Sequence, residues 1–160
     1  MKLLVTFLLA AGFALPAGDP PGFYQWKGAD LKAIATTLAP KLPASQYTGE
    51  SYGKAETYSF TANLRRVSGG AEIHKKWTDV FVIQSGEATL IVGGTIPGAK
   101  ESRPGEFNGP AVADGVEKKL GPGDIIAIPA GTPHQIKVEP GKEIAMLVIK
   151  IATPETPAAK

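Results

Sequence analysis

Two histidines and two carboxylates carry the chemistry that this chain can offer. Glu72 and His74 lie two residues apart in a strand-like run, so their side chains share one face. Asp79 opens the next apolar run, Val80–Ile83, after a four-residue turn. His134 opens a strand far away in sequence, behind a turn built from Pro129, Gly131 and Pro133. Each residue alone has a plainer reading. A single histidine is usually a surface or satisfied core residue, Asp79 can cap the turn before it, and Glu72 can be an exposed strand residue. Brought together, two imidazoles and two carboxylates suit a borderline divalent ion such as Zn, Fe, Mn, Ni or Cu. There are 0 cysteines, so any metal must be held by His74, His134, Asp79, Glu72 and water.

The elements that would position these residues are short strands. Tyr58, Phe60, Ala62 and Leu64 alternate with Thr57, Ser59, Thr61 and Asn63, the pattern of a half-buried strand ending at Arg65-Arg66. Ser68-Gly69-Gly70 turns the chain into the Glu72–His74 strand. Val80–Ile83 and Ala88–Val92, closed by Ser85-Gly86 and Gly93-Gly94, read as a hairpin. Residues 95–115 read as a long excursion loop and residues 41–55 show no periodicity. Val116–Leu120, Ile125–Ile128, Gln135–Val138 and Ile144–Ile151 complete about eight strands without βαβ alternation. Asp30 is a plausible N-cap for one short helix over 30–39, with Leu31, Ile34, Ala35 and Leu38 at helical spacing and Pro40 as its stop. The expectation is an all-β jelly-roll barrel with one short N-terminal helix that covers an open end or edge of the sheet.

The stretch Gly123–His134 resembles the second motif of the cupin superfamily, G-x5-P-x-G-x2-H-x3-N, with Gly123, Pro129, Gly131 and His134 in register and Val138 where the pattern has Asn. The first motif ends H-x-H, three or four residues, E, six residues, G. Here Glu72 stands in the first His slot, His74 in the second, Asp79 in the Glu slot and Gly86 in the Gly slot. A shifted alignment places His74 first and Lys76 second, but leaves only two residues, Trp77 and Thr78, before Asp79, shorter than the pattern's three or four. The resemblance covers nearly all of 56–151 and implies a double-stranded β-helix, a cupin barrel. It implies His74, Asp79 and His134 as ligands of a divalent metal; Glu72 joins them by position and parity. Asp79 is one methylene shorter than the Glu of the pattern and reaches less far. Arg66, which shares parity with Phe60, Ala62 and Leu64, is a candidate for a substrate carboxylate. Lys75, Lys76 and Trp77 are candidates for a pocket rim, and Gln135 is expected to face away from it.

A net charge of +2, from 17 basic and 15 acidic residues without clustering, gives no footprint for nucleic acid. Met1-Lys2 and the apolar run Leu3–Leu15, shorter than the ~20 residues of a membrane span, predict a signal peptide over 1–17 and export to the periplasm or the extracellular space. Without cysteine no lipoprotein anchor is expected. Residues 18–55 are then an N-terminal extension, 56–151 the barrel, and 152–160 a disordered polar tail. Two functions fit this frame. One is a small-molecule oxygenase or isomerase with a divalent metal at the barrel mouth, acting on a small organic acid or sugar derivative. The other is a non-catalytic barrel that binds a small ligand, with the outer sheet as the candidate interface of a homodimer.

Overall fold

The computed structural model describes residues 19–153; the segments read as a signal peptide and as most of the polar tail lie outside them. Eleven strands build two sheets: β1 (Tyr47–Lys54), β2 (Tyr58–Arg65), β3 (Ala71–His74), β4 (Trp77–Gly86), β5 (Ala88–Val92), β6 (Lys100–Arg103), β7 (Glu106–Gly109), β8 (Val116–Leu120), β9 (Ile125–Ile128), β10 (His134–Lys137) and β11 (Ile144–Ala152). One sheet has the order β1-β2-β11-β4-β9 and the other β6-β7-β3-β10-β5-β8. All pairings are antiparallel. This is the expected all-β jelly roll, in which the chain passes repeatedly from one sheet to the other.

Period-two side-chain alternation decides what each face of the first sheet does. On β11, Ile144, Met146 and Val148 join Phe81, Ile83, Leu90, Ile128 and Ile136 in the core between the sheets. The alternate residues Ala145 and Leu147 point outward, where they pack with Ala62 and Leu64 of β2 against Ile34 and Leu38. Those last two belong to the N-terminal cover. It consists of two single-turn helices, α1 (Gly28–Lys32) and α2 (Ile34–Leu38), followed by a 3-10 turn, Ala39–Lys41. Pro40 sits in that turn and ends the helical run. The apolar face of β2 therefore looks outward, beneath the helices rather than into the barrel, and the cover lies on a sheet face rather than at an open end.

Three further departures from the sequence reading have local causes. β1 occupies part of 41–55, because antiparallel pairing with β2 holds a polar edge strand that carries no apolar alternation of its own. Within 95–115, the Pro104-Gly105 turn joins β6 and β7 as a hairpin. Only Lys75 and Lys76 separate β3 from β4, so the chain turns the corner between sheets in two residues. No helix among the described residues is long and apolar enough to cross a membrane.

Candidate metal centre

β3 ends at His74, and β10 begins at His134, which lies directly across from Glu72 in the antiparallel register. The turn before His134 is fastened at both flanks. Gly131 adopts φ +80, a conformation that glycine enters without penalty, and its N–H donates to the carbonyl of His74 at 2.8 Å. Gly93 N–H donates to the carbonyl of Pro133 at 2.9 Å. The turn chemistry of Gly123–His134 thus docks one histidine beside the other, with ring centroids 5.2 Å apart. Phe81 stands edge-on to His134 at 6.3 Å.

The hydrogen bonds of the two rings point their free nitrogens the same way. His74 Nδ1 lies 2.5 Å from Glu106 Oε2, and a carboxylate accepts there, so Nδ1 carries the proton. His134 Nδ1 lies 3.0 Å from the carbonyl of Thr132, which can only accept, so this ring too is protonated on Nδ1 when neutral. Both Nε2 atoms are left free of these bonds; His134 lines the cavity, and His74 lies just behind Glu72 and Asp79, which also line it. His74 Nε2 is buried and has no hydrogen-bond partner. Its nearest carboxylate oxygens, Glu72 Oε2 at 3.4 Å and Asp79 Oδ2 at 3.5 Å, stand off at long range. Donor atoms of Glu72, His74 and His134 lie within 4.8 Å of one another, a group able to hold a metal ion. A His ligand whose second nitrogen donates to a carboxylate, as His74 does to Glu106, is the usual outer support of a metal site.

Asp79 stands beside this trio. Its Oδ2 is 3.7 Å from His134 Nε2, while Oδ1 accepts from Lys150 Nζ at 2.8 Å. Three carboxyl groups (Glu72, Asp79, Glu106) and one ammonium (Lys150) surround two imidazoles, an excess of negative charge that a divalent cation would balance. The same field acts on the titrating groups. Burial pushes His74 down, but Glu72, Asp79 and Glu106 outweigh it and its pKa ends above the ordinary histidine value. His134 is pushed below that value, chiefly by burial. Glu72 is held below the usual carboxylate range by the imidazole of His74.

The other candidates divide. Arg66 is exposed and pairs with Glu143 at 2.8 Å, outside the cavity. Its neighbour Arg65 lines the cavity instead, with Thr61 and Asn63, because the polar face of β2 is the one turned inward. Gln135 is buried and also borders the cavity. Its side chain donates to the carbonyls of Gly69 and Pro110 and accepts from Val112 N–H, a tie between loops. Trp77 borders a second, open cavity with Arg103, Glu106 and Lys150, while Lys75 covers the ring of Phe107. Glu106 and Lys150 escaped the sequence reading. For Lys150 a signal existed: it extends the parity of Met146 and Val148, so a cation sits on the inward face of an apolar strand. For Glu106 the Pro104-Gly105 dipeptide marked a turn, but nothing told which partner the hairpin would meet.

No family model matches the sequence, and no curated protein matches it. Solved structures do resemble it. The Bacillus halodurans protein BH2720 aligns over 77% of this chain and 83% of its own at 15% identity and TM-score 0.51. A candidate mannose-6-phosphate isomerase of Ralstonia eutropha aligns over 70% and 90% at 11% identity and TM-score 0.50. The likeness to these two is one of fold, the double-sheeted antiparallel barrel. A cupin protein of Bacteroides fragilis is also similar, at 15% identity and TM-score 0.48, over 74% of this chain and 87% of its own. At such identities the likeness extends to the fold; the chemistry of this barrel rests on its own residues.

Proposed function

We propose that the protein is an exported single-domain cupin that holds a divalent transition-metal ion on His74, His134 and Glu72 and uses it on a small molecule in the barrel, as an oxygenase or isomerase. The observation that carries this reading is the buried, unpartnered Nε2 of His74, aimed with His134 Nε2 into a group of carboxylates. Buried polar atoms are normally paired, and here the bare nitrogen stands among carboxylate oxygens that a cation would bridge to it. A bound metal with open positions would supply Lewis acidity to an oxygen of the ligand. Glu106 fixes the tautomer and plane of His74, and the carbonyl of Thr132 does the same for His134. Asp79, held by Lys150, is placed to support the cation's charge from just outside the trio, and the shorter reach of Asp relative to Glu accounts for that position. Phe81, Ile136, Met146 and Val148 wall the cavity beside it and limit water. Export is proposed from Met1–Ala17 alone.

One observation favours a second reading. The ammonium of Lys150 already neutralises Asp79, so the barrel can also hold a ligand without catalysis. Elemental analysis of protein recovered from the exported fraction tests the metal, with His74→Ala and His134→Ala alongside. The expected result is about one equivalent of metal per chain in the natural protein and its loss in both variants. A natural protein that is metal-free, and that takes up none from added Zn, Fe, Mn, Ni or Cu, overturns the metal reading and leaves the ligand-binding one.

A further inference from the structure

Arg65 is half-buried, lines the same cavity as Glu72 and His134, and stacks its guanidinium on the ring of Tyr47 at 4.7 Å. Among the described residues no carboxylate pairs with it, in contrast to Arg66 next door. Its head lies so close to the backbone of Gly69 that a methyl group there would overlap Nη1. Gly69 is held in turn by Gln135, which donates to its carbonyl at 2.8 Å. The arginine is therefore seated between an aromatic ring and a fixed glycine, with its hydrogen-bonding fork unspent on protein carboxylates. Asn63, two residues back on the inward face, adds a neutral amide to the same wall.

We infer that the cavity takes a small organic acid whose carboxylate is gripped by Arg65, while its other end reaches toward Glu72, His74 and His134. This rests on the proposed site and names the ligand class it serves. Scale supports it. From Gly69, against the Arg65 head, to Glu72 is three residues, an extended span of about 10 Å. The cavity, about 190 Å³, is smaller than the ~300–1,000 Å³ of pockets for drug-sized ligands. A chain of about three to five carbons spans that distance. Charge selects a carboxylate over a phosphate: one guanidinium forms two parallel bonds to either, but among the described residues no second free cation lines this wall to balance a dianion. The other cation of the cavity, Lys150, is engaged with Asp79.

The test titrates 3-hydroxypropanoate, 4-hydroxybutanoate and 5-hydroxypentanoate, their uncharged amides and inorganic phosphate into the full chain by calorimetry, metal-free and Zn-loaded. Arg65→Gln removes the charge. Gly69→Ala, at a glycine whose backbone suits alanine, displaces the guanidinium while keeping it, so a folding failure of the first variant still leaves a measurement. The expected result is that at least one acid binds ten- to a hundredfold more tightly than its amide. That preference disappears in Arg65→Gln and shrinks in Gly69→Ala, with Zn stoichiometry unchanged in both. An acid that binds with Arg65-dependent preference to a protein that takes no metal keeps this inference and removes the metal reading. Equal binding of acid and amide, an unchanged preference in Arg65→Gln, phosphate competing as well as the acids, or no acid binding at all overturns it.

Discussion

At the scale of single residues the site turns on which ring nitrogen is free. Glu106 accepts from His74 Nδ1 and so keeps Nε2 bare and rightly aimed. Glu106→Gln replaces that acceptor with an amide that grips the ring more weakly and can present its NH2 instead. Zn affinity, measured by competition with a chelator, is expected to fall ten- to a hundredfold with the circular dichroism spectrum unchanged. A protein that binds Zn as tightly after this change assigns Glu106 no part in the site. Protons compete for the same nitrogen. The raised pKa of His74 means that the metal-free site holds a proton there below that value, and a metal must displace it. Apparent Zn affinity is thus level above the His74 pKa and drops about tenfold per pH unit below it. His134, kept neutral longer by burial, steepens the loss only at lower pH. Calorimetry near neutral pH in buffers of different ionisation enthalpy should show proton release on Zn binding; its absence would mean that His74 is already neutral.

At the scale of elements, turns and covers carry different burdens. Gly131 sits at φ +80 with open space where a Cβ would stand, so Gly131→Ala meets backbone strain and no clash. It is expected to lower stability by about 1–2 kcal/mol and to weaken Zn binding as well, since this turn seats His134. Leu38→Ala, at a side chain fully buried between α2 and the first sheet, is expected to lose about 2–5 kcal/mol and leave Zn affinity intact. Thermal melts and Zn titrations of the two variants separate the roles, and a Leu38→Ala protein with weakened Zn binding would tie the cover to the site. Gly123, Pro129, Gly131 and His134 were legible because turn chemistry is local and leaves its mark at fixed offsets. The strands with apolar alternation were legible for the same reason. β1 and the β6–β7 hairpin were not, since polar edge strands are stabilised by partners distant in sequence. Arg65 was passed over for Arg66 because alternation in β2 shows two faces without saying which is inside. The N-terminal helices decide that, by claiming the apolar face.

At the scale of the whole molecule, that inversion gives the barrel a polar lining: Thr61, Asn63, Arg65, Asp79 and Lys150 face a cavity that Glu72 and His134 close from the other sheet. The helical cover outside and the charged lining inside are two consequences of one strand register. A barrel lined this way carries its own penalty, because three carboxyl groups crowd Lys150 and two imidazoles, with Asp79 and both rings shut away from water. A divalent cation removes that penalty in the folded state only, so metal and fold are linked. Free Zn at a hundred times its Kd is expected to stabilise the protein by about 2.7 kcal/mol. For a domain of this size that raises Tm by roughly 5–15 °C, and chelation reverses it. His74→Ala and His134→Ala should lose the increment, whereas Arg66→Ala, outside the cavity, should keep it. Because the metal must displace the His74 proton, the increment at fixed free Zn should also shrink as pH falls through the His74 pKa and hold level above it. A Tm shift of equal size in natural protein, His74→Ala and His134→Ala would place the responsible ion elsewhere on the chain.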